Sequence, residues 1–318
     1  MASAWRSCAI VLLAVCSIAA ASRSHARFGI AVSNLLPPVP DKLTELGVGT
    51  IRGGCDWGAL EPERGRFDWY CADLVIVPAE RQHLRTYFTV GCTPAWANAG
   101  AGCAGMPSDL NDWYTFVANF VTRYRKTNTV LGIWNEPNLQ KFLDDDADAT
   151  GYSLLFVNAS NARRLIAPDF PIAGPETSHH ALANGYFAAT VARIEALKAF
   201  GPRDIVAVHW YPDGPPIVAY LDQIHAIANR EVWLTETGIS TPDESLQARF
   251  VTDVLDAFQS SRRPWWTHVI IYRLWDGEPC CSEALLRADF TTRPAFDAYR
   301  AWLLEHPERP AIPRDGER

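Results

Sequence analysis

Basic runs are missing from this 318-residue chain, in which no more than two Lys or Arg stand together. The 29 Lys and Arg face 36 Asp and Glu, for a formal net charge of -7. Phosphate binding rests on basic patches, so a nucleic-acid partner is excluded. No apolar stretch reaches the ~20 residues needed to span a bilayer, which argues against a membrane-embedded body. No C-x-x-C pair occurs, no G-x-G-x-x-G turn follows the first strand, and P-loop, H-E-x-x-H and G-x-S-x-G motifs are absent. Metal and dinucleotide cofactors therefore find no support, and none is expected.

What is present begins with "MASAWRSCAIVLLAVCSIAAASRSHARFG", an early Arg6 followed by a short apolar stretch and small residues near Ala21 and Ala26. This reads as a cleaved secretory signal at 1–26, with a mature start between about Ser22 and Arg27. The run is too short for a membrane anchor. A lipoprotein site at Cys16 would place the bulky Val15 where a small residue is favoured. The expected location is secreted or periplasmic, with no membrane contact after cleavage and a monomeric state.

Of eight cysteines, Cys8 and Cys16 lie in that signal, leaving Cys55, Cys71, Cys92, Cys103, Cys280 and Cys281. An even number in an exported chain suggests disulfides. Cys55 with Cys71 and Cys92 with Cys103 would close short loops, but spacing alone leaves the connectivity open.

From Arg27 onward, β-branched runs alternate with segments of helical period, from "RFGIAV" to "HVIIYRLWDG" and the closing "RPAFDAYRAWLLEH". Eight strand–helix units over about 250 residues predict a parallel sheet closed into a single-domain (β/α)8 barrel of the TIM type. An open doubly wound sheet lacks its glycine-rich turn. The domain is expected at 27–306, with a polar tail at 307–318.

Barrel enzymes carry their chemistry at the C-terminal strand ends. Asn135 and Glu136 of "LGIWNEPN" fall at the end of the fourth strand, and Glu236 of "VWLTETG" at the end of the seventh. A lone glutamate is ordinarily a solvated surface group. Two at these strand ends can converge over the mouth, where retaining glycoside hydrolysis needs an acid and a nucleophile.

"IWNEPN" and "VWLTETG" resemble the acid/base and nucleophile motifs of glycoside hydrolase clan A. "TIRGGCDWGALEPERGRFDW", "VHWYP" and "IYRLWDG" resemble that clan's second-, sixth- and eighth-strand regions, so the likeness spans nearly the whole mature chain. "WNEPNLQKF" with "IAGPETS" is most similar to family 39; family 5 or a smaller single-barrel family are the alternatives. The resemblance implies a carbohydrate substrate, Glu136 as acid/base and Glu236 as nucleophile, with Asn135 on the sugar 2-OH. Arg52 and Tyr211 would hold Glu236, and His209 would line the floor. Glu136 must begin protonated, and repulsion from Glu236 favours that.

Twelve tryptophans are available for stacking on sugar rings. Trp275, Trp57 and Trp96, at or beyond strand ends, are the expected subsite residues, whereas Trp69, Trp113 and Trp302 read as packing. Trp210 is expected to turn away from His209 and Tyr211. The acidic "DDDADAT" has Ala149 where a calcium loop needs glycine, so it reads as a solvated loop. His179 and His180 read as a surface pair. The expected activity is a retaining glycosidase, endo action favoured over exo; the alternative is a non-catalytic glycan-binding barrel, a sensor or adhesin.

Overall fold

The computed structural model describes residues 25–146, 148–277 and 282–307. In chain order these form β1 (His25–Ala31), α1 (Val39–Leu46), β2 (Val48–Asp56), α2 (Trp57–Leu60), α3 (Tyr70–Arg81), β3 (Arg85–Gly91), α4 (Leu110–Tyr124) and β4 (Thr129–Ile133). They continue as α5 (Thr150–Ile166), β5 (Ile172–Thr177), α6 (His180–Ala183), α7 (Tyr186–Ala196), β6 (Ile205–His209), α8 (Ile217–Ala228), β7 (Val232–Thr237), α9 (Glu244–Ser261), β8 (Trp266–Ile271) and α10 (Pro294–Glu305). The eight strands pair in sequence order and close on themselves as β1 pairs β8, all parallel. This is the predicted (β/α)8 barrel.

Local chemistry accounts for the elements. The strands are almost wholly buried, as expected where a parallel sheet is covered by helices outside and side chains within. The long helices bury one face and expose the other; α4 buries Trp113, Phe116, Val117, Phe120, Val121 and Tyr124. Asp109 caps α4 by accepting from the Asn111 amide, and Asp243 caps α9 by accepting from the Ser245 and Leu246 amides. Each such cap is worth about 1 kcal/mol. Asp144, Asp146 and Asp148 of "DDDADAT" are exposed, as expected of a solvated loop, while half-buried Asp145 accepts from the Gly151 and Tyr152 amides at the start of α5 and from the Tyr186 hydroxyl.

The core has two parts. One lies between the strands and the helix ring. The other, Tyr87, Val130, Ala173, Ile205, Ala207, Trp233 and Ile270, plugs the barrel interior. Side chains alternate faces along a strand, so Thr89 follows Tyr87 inward on β3, and His209 follows Ala207 on β6. The apolar plug thus carries a polar layer toward the C-terminal mouth.

The β1 strand starts at His25, ahead of the expected boundary at Arg27. His25 pairs with Val48, and the Ala26 carbonyl accepts from the Thr50 hydroxyl, so both residues are tied to β2. Disulfides join Cys55 to Cys71 and Cys92 to Cys103. Cys280, Cys281, residues 1–24 of the expected signal and most of the expected tail lie outside the described residues, among which no helix is long and apolar enough to cross a membrane.

Candidate active site

Three departures from regular strand geometry aim the carboxylates. Beyond β4, Trp134 (φ 67°) and Glu136 (φ 41°) adopt the left-handed conformation, which non-glycine residues rarely take. Hydrogen bonds hold them there: the Trp134 amide donates to the Val90 carbonyl (2.9 Å) and the Glu136 amide to the Glu176 carbonyl (3.0 Å). On β7 the pairing advances from Leu234 to Glu236 while β6 advances only from Val208 to His209, a bulge beside Glu236. On β5 the pairing passes from Pro175 to Thr177 while β6 moves from Ala207 to Val208, leaving Glu176 as the extra residue. Bulges bend a strand and redirect the side chain they carry.

The resulting constellation is dense. Arg52 Nη1 donates to Glu236 Oε2 at 2.6 Å, and the Tyr211 hydroxyl donates to Glu236 Oε1 at 2.6 Å. Arg52 Nη2 donates to Asn135 Oδ1 (2.8 Å) and Glu176 Oε2 (2.9 Å). With its Oδ1 so engaged, Asn135 has its amide nitrogen left to donate. His209 Nδ1 lies 3.1 Å from Glu136 Oε1 and 3.8 Å from Glu236 Oε1, while its Nε2 lies 3.6 Å from Glu176 Oε2. One carboxylate oxygen of Glu136, one of Glu236 and a His209 ring nitrogen all fall within 4.8 Å of one another.

Charge follows from this packing. Burial by itself would raise the Glu236 carboxyl, but His209 and Arg52, with the Tyr211 hydrogen bond, hold it below the ordinary carboxylate value. Burial likewise pulls His209 down, yet Glu236 and the contacts with Glu136 and Glu176 push it up to about 9. At neutral pH this favours the imidazolium, with Nδ1 donating to Glu136 Oε1, while Nε2 lies 3.4 Å from Arg52 Nη2 and 3.6 Å from Glu176 Oε2. Burial and Glu236 raise the Tyr211 phenol, which keeps its proton. Glu236 is thus an ionised carboxylate with both oxygens fixed.

Two open spaces adjoin residues of this constellation. A cavity of about 440 Å³ is lined by Arg52, Asp56, Trp134, Asn135, Tyr272 and Arg273. A second, of about 480 Å³, is lined by Glu136, His179, His180, Tyr211, Asp213 and Glu283.

Among the aromatics, Trp57 corrects the sequence reading: it is completely buried on α2, edge-on to Trp96 and Trp113, with its Nε1–H donating to Glu61. The short helix directly after β2 turns the ring outward into the helix layer, so it offers no face to a sugar. Trp96 is half-buried, donates to the Glu61 carbonyl and lies under the Arg64 guanidinium. Trp275 is half-buried and stacked on Phe290, which covers one of its faces. Trp210 donates to the Pro215 carbonyl and stacks on Phe250, away from Glu236. Trp113 and Trp302 are buried in the core.

His179 also departs from expectation, since it is buried and only His180 is exposed. Gly214 allows the loop after β6 to lie against the His179 ring, where a Cβ would meet it at 3.0 Å. His179, His180 and Asp213 bring three ligand-type atoms within 4.8 Å, as do Glu136, His209 and Glu236. In the latter group the imidazolium and Arg52 already supply the positive charge that a cation would bring.

Glu176 is the residue that sequence reading did not single out. It is fully buried, its Oε1 accepting from the Tyr87 and Thr89 hydroxyls at 2.7 and 3.0 Å. The available signal was a carboxylate inside the otherwise apolar and small-residue strand "IAGPET", because a buried charge requires a partner.

Residues 80–263, more than half of the chain, match the family model described as "Glycosyl hydrolase catalytic core". The fold resembles a family 39 glycoside hydrolase from the gut symbiont Bacteroides cellulosilyticus WH2 (TM-score 0.71, 19% identity, covering 90% of this chain and 65% of that one). It also resembles a GH39 β-xylosidase from Caulobacter crescentus (TM-score 0.67, 19% identity, 89% and 72% covered). A family 10 endo-β-1,4-xylanase from Gloeophyllum trabeum gives a TM-score of 0.66 at 18% identity, with 89% and 98% covered. The chain thus spans about two thirds of the first of these proteins. No curated protein matches it in sequence.

Proposed function

The chain belongs to the glycosyl hydrolase catalytic core family, and from that premise we propose that it is a retaining glycosidase in which Glu136 is the acid/base and Glu236 the nucleophile. The observation that carries this reading is the approach of Glu136 and Glu236 oxygens to within 4.8 Å. Retaining enzymes hold their carboxyl groups ~5–5.5 Å apart, whereas inverting ones leave ~6.5–9.5 Å for a water.

Each residue has a step. Glu136 Oε1 faces His209, leaving Oε2 to carry the proton delivered to the departing glycosidic oxygen. Glu236, ionised and held by Arg52 and Tyr211, attacks the anomeric carbon and forms the glycosyl-enzyme. Its negative charge is then lost. Glu136, now a carboxylate, takes a proton from water as the water oxygen bonds to the anomeric carbon; the bond to Glu236 breaks, Glu236 leaves as a carboxylate, and the sugar departs with its starting configuration. The Asn135 amide nitrogen is oriented by the Arg52 contact to reach the sugar 2-OH.

Two cavities, one lined by Arg52 and Asn135 and the other by Glu136 and Tyr211, offer space for more than one sugar unit, which supports endo action on a polysaccharide or oligosaccharide. The test is a screen of aryl glycosides and polysaccharides, with the first-formed anomer followed by NMR. A product that first appears with inverted configuration would sink the retaining reading, and single terminal sugars released from long chains would sink endo action.

Export is part of the proposal, supported by the signal-like N-terminus and two disulfides. Because His25 and Ala26 belong to β1, cleavage is expected just ahead of them, between Ser22 and His25. N-terminal sequencing of protein collected outside the cytoplasm checks this, and an intact Met1 would refute it.

A further inference from the structure

Between the two catalytic carboxylates and the apolar plug lies a third carboxylate to which the double displacement gives no step. We propose that Glu176 is a positioning residue for the proposed hydrolysis. Its side chain fixes Arg52 and His209 against Glu236, its carbonyl fixes Glu136, and its charge offsets one of two buried cations.

Four observations converge. Glu176 is the inserted residue of the β5 bulge, with φ 43°, so its side chain points inward only because the strand is locally irregular. Oε2 accepts from Arg52 Nη2 at 2.9 Å and lies 3.6 Å from His209 Nε2, an ion-pair distance, so both cations face one oxygen. The Glu176 carbonyl accepts from the Glu136 amide at 3.0 Å. Finally, Gly132 on β4 makes room for the group, since a Cβ there would collide with Glu176 Oε1 and the Tyr87 ring.

The charge count supplies the chemical reason. Arg52 and His209 are two cations; Glu136, Glu176 and Glu236 are three carboxyl groups, all largely withdrawn from water. Two ionised carboxylates balance the two cations. Glu176 and Glu236 fill the two ionised places. Burial alone would raise the Glu176 carboxyl, but Arg52 and His209 hold it below the ordinary value. Without Glu176, Arg52 and His209 would lose the buried carboxylate beside them, and the hold they exert on Glu236 and Glu136 would loosen. Other ionisable groups facing this array are Tyr87 and Tyr152 beside Glu176, Tyr211 and Tyr272 beside Glu236, and Tyr220 and His179 near Glu136; burial raises the phenols, which stay uncharged.

The inference rests on the hydrolytic reading, and its test has one arm that needs no turnover. In isotopically labelled full-length protein, the His209 titration is followed by NMR in wild type, Glu176→Gln and Glu176→Asp. In parallel, kcat and KM are measured against pH on a substrate with a poor leaving group. Glu176→Gln is expected to lower the His209 titration by about one unit or more, because a nearby anion is removed. The alkaline limb of kcat/KM should move down with it, and kcat should fall about tenfold or more with KM little changed. Glu176→Asp keeps the charge one methylene short, so it should restore both titrations while kcat stays below wild type. An unmoved His209 titration and an unmoved alkaline limb in a folded Glu176→Gln protein would overturn the proposal. If that variant does not fold, wild-type kcat in Glu176→Asp would overturn it instead. Failure of wild type to cleave any glycoside would count against the hydrolytic reading, while the NMR arm would still report on Glu176.

Discussion

The Tyr211 hydroxyl donates to Glu236 Oε1 at 2.6 Å while Arg52 holds the other oxygen at the same distance. A residue just past β6 and one from β2 thereby immobilise a carboxylate on β7. Hydrogen bonds to charged groups are worth about 1.5–3 kcal/mol. Tyr211→Phe is therefore expected to lower kcat by about ten- to a hundredfold with the fold intact. Steady-state kinetics and circular dichroism check this, and unchanged kcat would remove Tyr211 from the mechanism.

Replacing each glutamate should disable a different half-reaction. Glu236→Ala is expected to abolish turnover, with azide restoring it through attack on the vacated face to give a glycosyl azide of inverted configuration. Glu136→Ala should still be glycosylated by substrates with good leaving groups, which need little protonation, and azide should then yield the retained configuration. The opposite pairing of products with variants would exchange the two roles.

The buried charges make stability depend on pH in a defined way. His209 rises from 6.5 unfolded to about 9 folded. Its contribution is fully present below the unfolded value and is lost as pH climbs through about 9. Glu236 is held below its unfolded 4.5, so its contribution is present above that value and is lost as pH falls through the lower, folded one. Melting temperature should therefore decline on both flanks. In His209→Asn the decline between about pH 7 and 9.5 should flatten; an alkaline slope identical to wild type would show that another group controls it.

Trp57→Ala should behave as a core deletion. Removing a fully buried tryptophan costs about 3–5 kcal/mol, so the melting temperature should drop clearly. Below that temperature KM should stay near wild type, because the ring faces Trp96 and Trp113 and not the cleft. A large rise in KM without loss of stability would return Trp57 to the substrate site.

Periodicity and strand-end position are properties of neighbouring residues, which is why the amino-acid order alone determined the eight βα units and brought Glu136 and Glu236 to one mouth. The same logic placed His209 inward and Trp210 outward on alternate faces of one segment. Whether Trp57 faced sugar or core depended on the turn into α2, which packing against α4 decides. Only the tertiary structure revealed that Glu176 belongs with them. An alternating strand with no bulge would not require its side chain to point inward, and the insertion is defined only by the register of β5 against β6. Its ionised state likewise comes from Arg52, 124 residues earlier, and His209, 33 residues later, which no local pattern connects.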